Sequence, residues 1–286
     1  MTDTTGPMLI ALLLYPGMVF AAVLGLCYAR LSGGSAGWQR IARQRTGMVH
    51  AARQSVEGWT SLVSSGLSGV ALALLPWPWH PLAIDPIAAL WAWSVLEVAF
   101  LVALLPGLLA GAPLVVRAAM REAQIGVMGR ALLWLALAPG LVLFDQWQLI
   151  GDSGHSPMLL HALALVLALI VWPVAAGWGP AAAETSMTPG GLAAGLDDGS
   201  AALAQSAQTM RQAVLLGATL LLLLPVALLP PWLALLLLLL VFALVSWFLG
   251  RMVTALPRLT LPDLLHWCWW RALPLGLIGV LYLSLV

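Results

Sequence analysis

Lysine is absent from this 286-residue chain, and charge of either sign is scarce. All 12 basic residues are arginine, set against 11 acidic ones. Charged residues make up 8% of the chain, against about 25% in a typical soluble domain. So few charges cannot cover a water-facing globule, which excludes a soluble enzyme and a disordered tail. Only two cysteines occur, Cys27 and Cys268, both in apolar stretches. That excludes a disulfide scaffold and a cysteine metal site, and both thiols are read as small buried hydrophobes. A formal charge of +1 offers no field for nucleic acid.

What the chain has in abundance is apolar residues, at 62%, with mean hydropathy +0.99. It also holds 15 tryptophans. Trp77, Trp79, Trp147, Trp178, Trp232, Trp267, Trp269 and Trp270 sit where apolar runs end, as in an interfacial aromatic belt. A bilayer core of about 30 Å needs roughly 20 apolar residues per helix. Eight segments approach that length: Met8–Ala29, Trp59–Trp79, Ile87–Gly111, Val127–Phe144, Pro157–Gly177, Gln212–Leu229, Pro231–Leu249 and Leu264–Val286. The start, Met1–Pro7, has no basic residue before a long apolar run, so that run reads as a first membrane helix and not as a cleaved signal. The expectation is an all-α polytopic membrane protein of about eight helices, forming a single membrane domain over residues 1–286.

Arginine placement supplies an orientation. Eleven of the 12 lie in, or within one turn of, the loops after helices one, three, five and seven. The other loops are short or carry Asp85, Asp145 and Asp152. The positive-inside rule puts the arginine-bearing loops in the cytoplasm and both termini on the opposite side. The long loops 30–58, 112–126 and 178–211 are then cytoplasmic. The first of them can form an amphipathic helix, with Arg40, Arg43, Arg45 and Arg53 beside Trp38, Ile41, Met48 and Val56. It reads either as a basic helix on anionic lipid or as a docking face for a soluble partner.

A charge inside a membrane segment is expensive and raises a functional question. Glu97 lies near the middle of the third segment. It reads either as a proton-relay carboxylate or as one half of a satisfied pair with a neighbouring helix. Arg130, in the first turn of the fourth segment, either faces a polar cavity or snorkels to the interface. His161 reads as a hydrogen-bonded core residue and His266 as interfacial. Nothing matches a Ser/His/Asp set, a phosphate loop or a metal site, so no catalytic residue and no metal ligand is assigned.

Several stretches resemble the subunit 1 family of respiratory NADH-quinone oxidoreductase (complex I). They are closer to its compact relatives in membrane-bound hydrogenases and formate hydrogenlyases. Tyr15-Pro16-Gly17-Met18-Val19-Phe20 is similar to the family's start, and Arg43-Gln44-Arg45-Thr46-Gly47 to its first-loop segment. Gly111-Ala112-Pro113 with Arg121-Glu122 resembles the third loop. Trp172-Pro173, Gly190-Gly191 and Leu196-Asp197-Asp198-Gly199 resemble the fifth-loop frame. Leu259–Leu265 is similar to the entry to the last helix. The departures concern acidic residues. Arg130 stands where the family carries a Glu. Ala175, Trp178, Pro180 and Ala182 replace its acidic run, with Glu184 left out of register.

The resemblance implies a divergent anchor subunit of a redox-driven, proton- or ion-translocating complex in a bacterial inner membrane. Its partners would be soluble iron–sulfur and hydrogenase-like subunits, antiporter-like membrane subunits and the lipid bilayer. It would bind no cofactor itself, with a quinone a further option at the interface. Arg43, Arg45, Arg117, Arg121 and Arg130 are the expected docking or chamber residues. Glu97 and Glu184 are the expected relay carboxylates. The competing reading is a stand-alone transporter, which the lack of an inverted repeat disfavours.

Overall fold

The computed structural model describes residues 5–43, 45–83, 86–109, 112–146, 157–181, 196–224, 226, 229–255 and 259–285. Side chains are described outside 33–46, 86, 139–160, 180, 253–258 and 282–286. The described residues are 88% helix and contain no strand. The helices are α1 (Thr5–Leu13), α2 (Met18–Arg43), α3 (Arg45–Gln54), α4 (Val56–Ala73), α5 (Pro86–Leu109) and α6 (Pro113–Gln146). They continue with α7 (Pro157–Ala175), α8 (Asp198–Leu223), α9 (Pro231–Ala255), α10 (Leu261–Trp267) and α11 (Leu273–Leu285). A π-turn, Cys268–Ala272, joins the last two.

Local chemistry sets these boundaries. Helices α5, α6, α7 and α9 each begin at a proline, where the missing N–H has no intrahelical partner to lose. Ser55 caps α4 by accepting from the Gly58 N–H at 2.8 Å. Asp197 caps α8 by accepting from the Gly199 and Ser200 N–H groups, both at 3.1 Å. The Ser55 cap contributes about 1 kcal/mol. Hydrogen bonds from Ser200 and then Gly199 hold the Asp197 carboxyl below its ordinary range.

Among the described residues, four stretches are long and apolar enough to cross a membrane: Thr5–Ser32, Ile87–Leu109, Pro231–Met252 and Leu261–Leu281. Their outer faces are strongly apolar. On α9, Trp232, Leu236, Leu240, Leu244 and Trp247 each expose half or more of their surface. In lipid such faces carry no cost. The chain is thus an all-helical membrane protein.

Helix α8 occupies the centre of the bundle and packs against α2, α3, α4, α5, α6, α7 and α9. From Ala213 to Leu223 every one of its residues is buried. A helix that is apolar all round belongs inside. Small residues let its neighbours approach: α4 turns Ser61, Ser64, Ser68 and Gly69 inward. Gly250 of α9 sits so close to α2 that a Cβ there would lie 2.7 Å from the Leu31 carbonyl oxygen.

The structure revises several expectations. All but the first of residues 112–126, expected as a loop, lie in the first two-fifths of α6, Pro113–Gln146. Their charges keep the stretch below a hydropathy threshold, yet helix hydrogen bonds need no apolar side chains. At about 1.5 Å per residue, α6 is roughly 51 Å long and outreaches a bilayer core. The 30–58 region is helical as expected, but through α2, α3 and the start of α4. Helix α3 packs on the start of α8, with the Ser55 and Ser200 hydroxyls 3.1 Å apart. The second expected span ends at Ala73 and not at Trp79. Trp77 and Trp178 are core residues, not belt residues. Trp77 stacks edge-on against Phe20, their centroids 5.0 Å apart. Trp79, Trp232, Trp269 and Trp270 do face outward, and Trp147 lies outside the described residues. Cys268 is buried as expected, but Cys27 is exposed on the outer face of α2.

Candidate functional site

The polar interior of the bundle is concentrated where α4, α5, α6, α8 and the end of α7 meet. Arg130 of α6 is 4% exposed. It donates through Nη1 to Glu97 Oε1 of α5 at 3.2 Å, and to the Leu96 carbonyl at 3.4 Å. Its guanidinium also lies 4.4 Å from the Phe100 ring centroid, a favourable cation–π arrangement. Glu97, 29% exposed at its side chain, is therefore the paired carboxylate of the two alternatives. Arg130 faces inward and does not snorkel.

A second buried guanidinium faces the same interior. Arg211 of α8 is 8% exposed and donates to the Ser64 hydroxyl at 3.0 Å. Ser64 in turn donates to the Ala99 carbonyl at 2.8 Å. The neighbouring Gln212 amide donates to the Ala176 carbonyl at 2.9 Å, tying α8 to the end of α7. Glu122 of α6 lines the same pocket as the two arginines and is attracted by both. It precedes the part of α6 assigned to the bilayer. Burial pushes its carboxyl above the ordinary range, against the opposing pull of Arg211 and then Arg130.

These groups surround a small cavity. Phe100, Arg121, Glu122, Arg130, Gln208 and Arg211 are among its walls. It leaves about 20 Å³ of room for the centre of a water-sized sphere, enough for a water or an ion of similar radius. Gly177, with φ +59°, turns the backbone out of α7 beside the Glu122 carboxylate. A residue without Cβ adopts that conformation freely.

The expected site residues thus divide. Glu97 and Arg130 are brought together, and Arg121 lines the same cavity while donating to the Leu259 carbonyl at 3.0 Å. Arg117 is exposed and stands apart. Glu184 and the side chains of Arg43 and Arg45 lie outside the described residues, as do those of Asp85, Asp145 and Asp152. Sequence reasoning missed Glu122 and Arg211 as site residues. The signal was present: Glu122, Gly126, Gly129 and Arg130 recur at i, i+4, i+7 and i+8, one face of a helix. No metal-binding group of His, Cys, Asp and Glu forms among the described residues. No protein-family model and no curated protein matches the chain.

Proposed function

We propose that the chain is the membrane anchor subunit of a complex-I-like or hydrogenase-like, redox-driven proton- or ion-translocating complex. It docks a soluble iron–sulfur arm onto a membrane arm of antiporter-like subunits, with a quinone a further option at that interface. In this reading the membrane is a bacterial inner membrane, spanned eight times, with both termini on the non-cytoplasmic side. The observation that carries the reading is a charged network, Glu97, Arg130, Glu122 and Arg211, held inside a predominantly apolar bundle. Buried ionisable groups in a membrane bundle are costly and are kept for function. The one-sided distribution of arginine and the resemblance in the 43–47, 111–122 and 259–265 segments support the same reading. The chain itself brings positioning and electrostatics, while the electron chemistry belongs to its partners.

The Glu97–Arg130 pair narrows what Glu97 can do. A carboxylate held at 3.2 Å by a guanidinium relays a proton only once that contact opens. A stand-alone transporter is the competing reading, favoured by the charged cavity inside the bundle. Replacing Arg43 and Arg45 together with alanine separates the two. The anchor reading expects the iron–sulfur arm to leave the washed membrane while the chain stays inserted and elutes as a sharp peak in detergent. An arm retained at unchanged stoichiometry removes the docking role.

A further inference from the structure

The charges around the central cavity do not balance locally. Arg130 is balanced by Glu97, which pairs with it and is not a cavity wall. Arg211 is buried, yet its hydrogen bond goes to a neutral hydroxyl, and it makes no ion pair with a described carboxylate. Glu122 lines the same cavity as both guanidiniums and feels the charge of each, with no hydrogen bond to either among the described residues. Buried Arg130 Nε has no hydrogen-bond partner among the described residues. A guanidinium has five donors, and a buried donor left unmade is costly. Unused donors, a compact void and a carboxylate standing off at a distance define a site for something small that accepts hydrogen bonds.

We propose that this cavity binds one small monovalent anion, of the size of chloride, between Arg211 and Arg130, with Glu122 protonated beside it. In that state the Arg211 charge is compensated by the anion, and the Glu122 O–H adds a donor toward it. In the other state Glu122 is ionised and compensates Arg211 itself, and water fills the void. The two states carry the same net charge, so one proton enters with each anion. The walls suit this exchange: Phe100, Ile125 and Leu215 are apolar, and a low local dielectric strengthens the remaining electrostatics. The roughly water-sized room favours a compact ion over a polyhydroxy acid.

The charged groups facing Glu122 set the direction of the pH dependence. Arg130 and Arg121 lie on its own helix and Arg211 on α8, while Glu97 of α5 is paired with Arg130. The end of α7 contributes Ala175, Ala176 and Gly177, with no ionisable side chain. Anion binding therefore weakens as pH rises through the range in which Glu122 ionises.

Equilibrium dialysis of radiolabelled chloride against the full chain in detergent tests this. Saturable binding is expected, displaced by bromide and not by gluconate. The affinity should fall by about tenfold per pH unit once Glu122 is ionised in the free protein. Glu122→Gln should bind at least as tightly and lose the pH dependence, and Arg211→Gln should not bind. If Arg211→Gln fails to fold, the pH profile of Glu122→Gln decides. Absence of saturable chloride binding to the wild type overturns the proposal, as does a pH profile unchanged in Glu122→Gln or full binding in a folded Arg211→Gln; the cavity then holds water only.

Discussion

Replacing Arg130 with leucine is expected to destabilise the detergent-solubilised chain more than any other single change of charge. The substitution removes the hydrogen bond to Leu96, the contact with Phe100 and the partner of Glu97 together. Breaking a buried ion pair from one side costs about 3–5 kcal/mol, mostly because the other charge is left uncompensated. Glu97 retains 29% side-chain exposure and can shed its charge by taking up a proton, so the lower end of that range applies. The diagnostic result is the rescue. Glu97→Gln on the Arg130→Leu background should regain most of the loss, because the orphaned charge is gone. Thermal unfolding of the single and double variants reads this directly. A double variant no more stable than Arg130→Leu alone would show that the pair is not energetically coupled.

The second large effect is steric. A Cβ at Gly129 would lie 2.6 Å from the Ala175 nitrogen and 2.8 Å from the Val174 carbonyl carbon. Both are backbone atoms of α7, so no rotamer change relieves the contact. Gly129→Val must push α6 and α7 apart, at a cost of about 3 kcal/mol or more. Because Ala175, Ala176 and Gly177 line the cavity, the same shift should also open it. Gly66 is the matched control, since a Cβ there meets nothing within 4 Å. Gly66→Ala should leave stability unchanged or raise it by about 0.5–1 kcal/mol through helix propensity. Equal melting temperatures for Gly129→Val and wild type would refute the close approach of the two helices.

The sequence made some levels of this structure legible and hid others, for physical reasons. Scarce charge and long apolar runs state the solvent of the chain, so the all-helical membrane class followed from composition. Helices fill most of each of the eight apolar segments, and four stretches of the described residues are long and apolar enough to cross a membrane, where a backbone must satisfy its own hydrogen bonds. Helix ends were less legible. Hydropathy marks where the bilayer ends, not where the helix does, and α6 runs on through Arg117, Arg121 and Glu122. The same confusion hid half of the site. Glu122 and Arg211 stand just outside apolar segments and look like loop charges, yet helix packing turns both inward. Glu97 and Arg130 were conspicuous because each interrupts an apolar run. That they pair depends on the crossing of α5 and α6, which no local pattern specifies. Tryptophan misled in part, since a ring at the end of an apolar run serves an interface or a core equally well, as Trp77 shows.

The proposed function turns on whether this bundle works alone or as one part of a larger redox assembly. The most direct measurement is native mass spectrometry of the tagged chain extracted from its own membranes in mild detergent, with an electron paramagnetic resonance spectrum of the same sample after reduction. The anchor reading predicts a hetero-oligomer that contains further polytopic subunits and gives iron–sulfur signals at a fixed ratio to the chain. A homo-oligomer or monomer free of iron–sulfur signals, from membranes that retain transport of a solute, would contradict it.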